Sequence, residues 1–117
     1  MNHLVEYYAE RDGVDPMGAL RLLAADVRFH LMPVPGVEIS GTSLAALRQE
    51  LSGFVGSPAK HRILLHGDSG GIEFAVGHRV ADGVVLGTFV AVAVPNSDGL
   101  LATYIGAYFD GTPVMEA

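Results

Sequence analysis

Hydrophobic residues recur at helical spacing early in the chain and mostly at strand spacing later, and this change of period predicts its elements. Across residues 3–11, Leu4, Tyr7 and Tyr8 fall on one face at intervals of three and four, which predicts an amphipathic helix. Asp15-Pro16 predicts the start of a second helix, because aspartate caps a helix and proline fits its first turn.

A third helix and a run of strands complete the pattern. Thr42 or Ser43 caps the helix, and its apolar stripe consists of Leu44, Leu47, Leu51 and Phe54. Strand spacing appears first at Val27, Phe29 and Leu31, which alternate with polar residues. Four further strands are predicted over residues 60–66, 71–80, 84–94 and 100–110.

Residues 67–71, Gly-Asp-Ser-Gly-Gly, match the loop that carries the nucleophile of trypsin-like serine proteases. Those proteases need two β-barrels, about twice this chain length, and a histidine and an aspartate from distant loops. The segment also lies between two predicted strands, where a cluster of Gly, Asp and Ser is typical of a hairpin loop. We therefore predict that Ser69 is a turn residue without a catalytic role.

Composition and charge narrow the class of protein. The 117 residues are half hydrophobic, which suits one domain over residues 1–117 with a substantial core. No apolar run approaches the ~18 residues of a membrane span, and no signal peptide is visible, so no membrane contact is expected. The net charge of -6, without a Lys/Arg cluster, argues against nucleic-acid partners. The absence of cysteine fits a cytoplasmic location.

Three stretches resemble one superfamily. They are the spacing from Tyr7 to Asp26, the segment Phe29–Pro35 and the strand ending Tyr108–Asp110. With the element order, they resemble the nuclear transport factor two-like (cystatin-like) superfamily, and within it ketosteroid isomerases, SnoaL-like cyclases and limonene-epoxide hydrolases. The resemblance implies an α+β fold, in which a curved antiparallel β-sheet wraps around three helices of the N-terminal half. It also implies a single SnoaL-like domain shaped as a cone with a central pocket.

The catalytic positions of these enzymes do not carry over to this chain. The resemblance places them at Phe29, Leu31, Phe89, Ala91 and Ala107, all of which are apolar. Proton abstraction or water activation needs a base and a donor aimed at the developing oxyanion. We therefore expect neither steroid isomerisation nor epoxide hydration.

The inward face of the cone is expected to form an apolar ligand pocket, or a core that has filled it. Its predicted members are Tyr7, Val27, Phe29, Leu31, Phe89, Ala91, Ile105, Ala107 and Phe109. A hollow cone would suit a small hydrophobic molecule. The same parity puts Tyr104 and Tyr108 on the outer face. Together with the apolar strand over 84–94, these tyrosines predict a homodimer through that face.

Three polar residues are candidates for catalysis by a non-standard route. Tyr7 could donate a hydrogen bond to a ligand oxygen, or could simply pack its ring. His30 could serve as an acid or base if the strand curves inward, and Asp110 belongs to the strand ending that the superfamily shares. No cofactor is predicted, because no phosphate loop occurs. Metal binding is not expected either, because no ligand spacing links the strand histidines His61, His66 and His78.

Three functions remain open at this point. The first is a module that binds a small hydrophobic molecule without chemistry. The second is an isomerase, cyclase or hydrolase that uses Tyr7, His30 and Asp110. The third is a structural dimerisation domain with a closed core. The apolar residues at the superfamily's catalytic positions favour the first and third hypotheses over the second.

Overall fold

Three short helices and six strands make up the computed structural model, which describes residues 2–34, 36–53 and 57–114. In chain order the elements are α1 (His3–Arg11), a 3₁₀ helix (Pro16–Leu22), β1 (Leu23–Val34), β2 (Val37–Gly41), α2 (Leu44–Ser52), β3 (Lys60–Ser69), β4 (Ile72–Ala81), β5 (Val84–Pro95) and β6 (Leu101–Asp110). The predicted α+β architecture is therefore confirmed. None of the helices in the described part of the chain is long and apolar enough to cross a membrane.

The helices begin where the sequence indicates. Asn2 caps α1, because its side-chain oxygen accepts a hydrogen bond from the backbone N–H of Val5 at 3.0 Å. Ser43 caps α2 by accepting from the N–H of Ala46 at 3.1 Å. The second helix is a 3₁₀ helix, and Asp15 makes no side-chain capping bond to it. The predicted stripe of α2 is buried at Leu47 and Leu51, whereas Phe54 lies outside the described residues.

The six strands form one sheet in the order β2-β1-β6-β5-β4-β3. All neighbouring pairs are antiparallel except β1 and β6, so the expected antiparallel sheet contains one parallel pair. The parallel pair closes the sheet between its two antiparallel parts, because β6 enters between β1 and β5 after four intervening strands. The start of the edge strand β3 lies close to the C-terminal end of α1. We call this end of the molecule the mouth of the cone.

The Gly-Asp-Ser-Gly-Gly segment is a tight hairpin. Gly70 and Gly71 have φ values of +59° and +82°, the left-handed conformation that a two-residue hairpin turn requires at both positions. Ser69 pairs with Ile72 as the last residue of β3, so it is the first residue of the four-residue β-turn. Its side chain is on the exposed rim of the sheet.

The core lies between the helices and the concave face of the sheet. On β1 and β5 the predicted inward positions are buried, namely Val27, Phe29, Leu31, Phe89, Ala91 and Ala93. On β6 the predicted face is wrong: Tyr104 and Tyr108 are buried, whereas Ile105 and Phe109 are 45% and 36% exposed and Ala107 is half-buried. The register explains this inversion, because β6 pairs its even positions with the inward odd positions of β5, as in Tyr108 opposite Phe89.

Candidate functional site

All four tyrosines of the chain converge inside the cone. The hydroxyls of Tyr8 and Tyr104 share a hydrogen bond of 2.7 Å in the core. Arg11 Nη1 donates to the hydroxyl oxygens of Tyr104 and Tyr108 at 3.4 and 3.2 Å. The Tyr7 ring packs against those of Tyr8 and Tyr104 at centroid distances of 5.2 and 5.0 Å. Aromatic rings therefore fill the centre of the cone, the region for which the sequence left both a ligand pocket and a filled core open.

A hydrogen-bonded chain runs from Asp12 through His61 to Tyr108 at the mouth of the cone. The Asp12 carboxylate lies 3.0 Å from His61 Nδ1, and His61 Nε2 lies 2.8 Å from the Tyr108 hydroxyl. The second oxygen of Asp12 also accepts the backbone N–H of His61 at 2.7 Å. Asp12 thus fixes both the start of β3 and the orientation of the imidazole, whose side chain is only 6% exposed.

Local sequence explains how these groups are positioned. Asp12 is the C-cap of α1 and follows Arg11, so the last turn of α1 delivers a cation and a carboxylate side by side. His61 is the second residue of β3, where alternation turns its ring into the cone against Phe89, 4.8 Å away between ring centroids. The neighbouring strands complete the arrangement, because Tyr108 on β6 lies opposite Phe89 on β5.

The electrostatics of the chain favour a neutral imidazole beside a charged guanidinium. Burial lowers the pKa of His61, and the hydrogen bond and charge of Asp12 oppose this shift only in part. Burial also lowers the pKa of Arg11, but the surrounding tyrosines raise that pKa overall to well above its ordinary value. Burial raises the pKa of Tyr8 and of Tyr104 well above the usual range, so both phenols stay protonated. His61 is therefore neutral, and its Nε2 can accept a hydrogen bond from the Tyr108 hydroxyl.

A small cavity opens beside this chain at the mouth of the cone. Its volume is about 60 Å³. The residues that line it are Arg11, Asp12, Pro16, Met17, Pro33, Leu51, Ser57, Ala59, Lys60, His61, Arg79 and Tyr108. The wall therefore contains three cationic residues and the whole Asp12–His61–Tyr108 chain.

A row of paired residues runs from the wall of the cavity across four strands. His61 on β3 is opposite Arg79 on β4, which is opposite Gly87 on β5, which is opposite Asp110 on β6. Arg79 Nη1 donates to both carboxylate oxygens of Asp110, at 2.9 and 3.1 Å. A side chain at Gly87 would not fit, because a Cβ there would lie 2.2 Å from the backbone oxygen of Phe109.

Comparison with known proteins places this architecture. No family model matches the sequence, and no curated protein matches it. Among solved structures, the yeast Ubp3-associated protein Bre5 is 16% identical over 92% of both chains, with a TM-score of 0.74. A nuclear transport factor two-like protein of unknown function from Burkholderia xenovorans is 14% identical over 98% of this chain and 84% of its own, with a TM-score of 0.67. A protein from Catenulispora acidiphila with a ketosteroid isomerase-like fold, in complex with trimethylamine, is 13% identical over 95% and 93%, with a TM-score of 0.70.

The chain has the nuclear transport factor two-like fold. At these identities the likeness concerns the fold alone, so function has to be argued from the side chains of this chain.

Within the nuclear transport factor two-like cone, the three candidates of the sequence analysis lie apart from one another. Tyr7 is fully buried, and its hydroxyl has no hydrogen-bond partner among the described residues. His30 is exposed on the outer face, 3.4 Å from Glu38, so the strand does not turn it into the cone. Only Asp110 adjoins the cavity, and it does so through Arg79.

None of the nine predicted pocket residues lines the cavity at the mouth. Tyr7, Val27, Phe29, Leu31, Phe89 and Ala91 belong to the packed core. Phe29 and Ile105 instead border an open groove of about 390 Å³, alongside His30 and Arg28. Whether any of these residues binds a ligand stays a prediction.

Sequence reasoning missed Arg11, Asp12 and the catalytic potential of His61. One signal was present, because Arg11 falls on the same helical face as Leu4 and Tyr8, where a charge needs buried polar partners. In the described ranges, no group of three or more His, Cys, Asp or Glu is arranged to hold a metal ion.

Proposed function

We propose that this protein is an acid–base catalyst that moves a proton on a small carbonyl compound bound at the mouth of the cone. The observation that carries the proposal is the hydrogen-bonded chain from Asp12 through His61 to Tyr108, which lies beside a small cavity. A positioned base with an orienting carboxylate behind it is the arrangement that proton transfer requires.

The geometry supports a specific division of roles. The Asp12 carboxylate accepts the Nδ1–H of His61, which leaves Nε2 free to accept the proton of Tyr108. That transfer produces a phenolate next to Arg11 and an imidazolium next to Asp12, so each new charge has an opposite charge beside it. The phenolate removes a proton from the carbon next to the substrate carbonyl, and Tyr108 returns it to the enolate oxygen or to the same carbon. The net reaction is an isomerisation through an enolate.

The size of the cavity limits the substrate. Its volume of about 60 Å³ is less than half of the roughly 150 Å³ that holds one benzene molecule in an engineered protein cavity. A steroid or a terpene epoxide would therefore need the tyrosine-filled core to open, which supports the expectation that neither is turned over. The substrate that fits has only a few non-hydrogen atoms inside the cavity.

The test is deuterium exchange in D₂O at the carbon next to the carbonyl of small ketones and oxo acids, followed by proton NMR. The protein should accelerate exchange, and Tyr108→Phe should remove roughly 10²–10⁴-fold of that acceleration. His30→Ala, on the exposed outer face, is the matched control and should retain the full rate. Exchange that is absent for every carbonyl compound, or that persists in Tyr108→Phe, contradicts the proposal.

A second proposal concerns assembly, because the outer face of the sheet is apolar. Val92, Val94 and Ile105 are 38%, 37% and 45% exposed on adjacent strands, and Val92 lies directly opposite Ile105. The tyrosines first assigned to this interface are buried in the cone, but the apolar patch still favours a homodimer through this face. Light scattering should give a dimer mass for the wild type and a monomer mass for Ile105→Lys. A monomeric wild type at micromolar concentration would rule the dimer out.

A further inference from the structure

At the wall of the mouth cavity, Arg79 already binds a carboxylate of the protein itself, that of Asp110. Asp110 receives both of its hydrogen bonds from one nitrogen of Arg79, Nη1, at 2.9 and 3.1 Å. The two side chains are 46% and 25% exposed, so solvent reaches this ion pair and a dissolved anion can compete for it. An exposed ion pair contributes little to stability, which makes the exchange of one carboxylate for another inexpensive.

Arg79 keeps binding capacity toward the cavity. Its Nε and Nη2 make no hydrogen bond to another residue in the described part of the chain, and a guanidinium can present two parallel N–H groups to a carboxylate. Arg79 Cζ lies 5.5 Å from the centroid of the Tyr108 ring, whose hydroxyl ends the proton-transfer chain. An anion on Arg79 would therefore lie next to the group that exchanges protons.

The charge of the wall points the same way. Arg11, Lys60 and Arg79 line the cavity, against the single carboxylate of Asp12, although the whole chain carries a net charge of -6. Lys60 is also the only lysine of the chain. A local excess of positive charge in an acidic protein favours an anionic ligand at that point.

We infer that the mouth cavity binds a small oxo-carboxylate, whose carboxylate group contacts Arg79 in competition with Asp110 and whose oxo group lies against Tyr108. The carboxylate part of this inference stands on Arg79 alone, whereas the role of the oxo group rests on the proposed function. If the ligand competes with Asp110, substitutions of the two partners should change the ligand affinity in opposite directions. A purely structural ion pair has no such consequence.

The experiment measures binding without turnover. Pyruvate, acetate and acetone are titrated into labelled protein, and dissociation constants come from NMR shifts of the His61 ring and the Tyr108 side chain. Pyruvate should bind more tightly than acetone, which has the oxo group but no carboxylate. Arg79→Gln should weaken pyruvate binding by about tenfold, because a charge-assisted contact is lost.

Asp110→Asn should strengthen pyruvate binding several-fold, because it removes the competing charge. Two variants away from the cavity serve as matched controls. Arg62→Gln removes a positive charge from an exposed residue of β3, and Glu38→Gln removes an exposed carboxylate that contacts His30. Neither control should change the affinity beyond a small general charge effect. The advantage of pyruvate over acetone should shrink at about 1 M salt, where charges on the rim are screened.

The outcomes separate this inference from the proposed function. Equal binding of acetone and pyruvate, or weaker pyruvate binding in Asp110→Asn, would overturn the inference even if deuterium exchange is catalysed. Tight pyruvate binding with the expected variant effects supports the carboxylate site, and the absence of exchange would then count against the acid–base function only. Urea unfolding of each variant shows whether a lost affinity reflects a lost fold.

Discussion

The three most deeply buried tyrosines offer a direct test of whether the cone is closed. Tyr7, Tyr8 and Tyr104 are each at most 2% exposed, so their hydroxyls depend on protein partners. Replacing each by phenylalanine removes one oxygen and preserves the ring. The three substitutions are therefore matched in size and differ only in the hydrogen bonds that they remove.

The structure ranks their costs. Tyr104→Phe leaves the Tyr8 hydroxyl without its 2.7 Å partner and takes one acceptor from Arg11, so it should reduce the free energy of unfolding by about 2–3 kcal/mol. Tyr8→Phe should cost less, about 1–2 kcal/mol, because the Tyr104 hydroxyl keeps its contact with Arg11. Tyr7→Phe removes a hydroxyl that has no partner among the described residues, so its effect should stay within about 0.5 kcal/mol in either direction.

Urea unfolding of the single variants and of the Tyr8→Phe/Tyr104→Phe double variant measures these differences. The double variant should be more stable than the sum of the single losses predicts, because removing both hydroxyls leaves neither of them unsatisfied. A Tyr7→Phe variant as unstable as Tyr104→Phe would show that water or a ligand reaches the interior. Strict additivity in the double variant would show that the Tyr8–Tyr104 hydrogen bond does not form.

Three further predictions concern stability. Burial lowers the pKa of His61 below its ordinary 6.5, so the unfolded state binds more protons than the folded state. The free energy of unfolding should therefore fall as the pH drops below 6.5. This pH dependence should be weaker in His61→Asn when urea unfolding is measured at several pH values. Gly87→Ala should cost about 3 kcal/mol or more, since its Cβ would lie 2.2 Å from the backbone oxygen of Phe109, whereas Gly53→Ala, with no atom closer than 3.6 Å, should change the melting temperature little. Glu73→Gln should lower the melting temperature by several degrees, because this buried carboxylate accepts the backbone N–H of Leu4 in the first turn of α1 at 2.8 Å and forms an ion pair with His3.

Local patterns predicted the elements well and one face of the sheet badly. Leu47 and Leu51 are buried as their helical spacing indicates, because residues four positions apart lie on the same face of a helix. On β6 both parities are hydrophobic, and Ile105 and Phe109 look more suited to a core than tyrosine does. The face was decided instead by pairing with β5 and by the partners that α1 offers to the tyrosine hydroxyls. Neither factor is visible in the local sequence.

The site was harder to predict than the fold, because its members are distant in sequence. Asp12 and His61 are separated by 49 positions and meet only because β3 is the edge strand nearest the end of α1. The catalytic positions implied by the family resemblance lie at the strand centres, where the chain is apolar. The polar groups lie at the element ends, around the mouth.

The tyrosines that fill the cone connect the hydrophobic core with the candidate site. The loss of a hydroxyl should nevertheless have different effects in the two places. Tyr104 anchors the polar network from inside, where no water can replace a lost hydroxyl. The Tyr108 hydroxyl also accepts a hydrogen bond from Arg11, but it lies against the mouth cavity. Water can take the place of this hydroxyl between Arg11 and His61. Loss of the Tyr108 hydroxyl therefore changes the chemistry at the mouth more than the fold, whereas loss of the Tyr104 hydroxyl changes the fold first. Comparing the variants of Tyr104 and Tyr108, which lie on the same strand, thus distinguishes the proposed catalytic site at the mouth from a domain that is only a closed core.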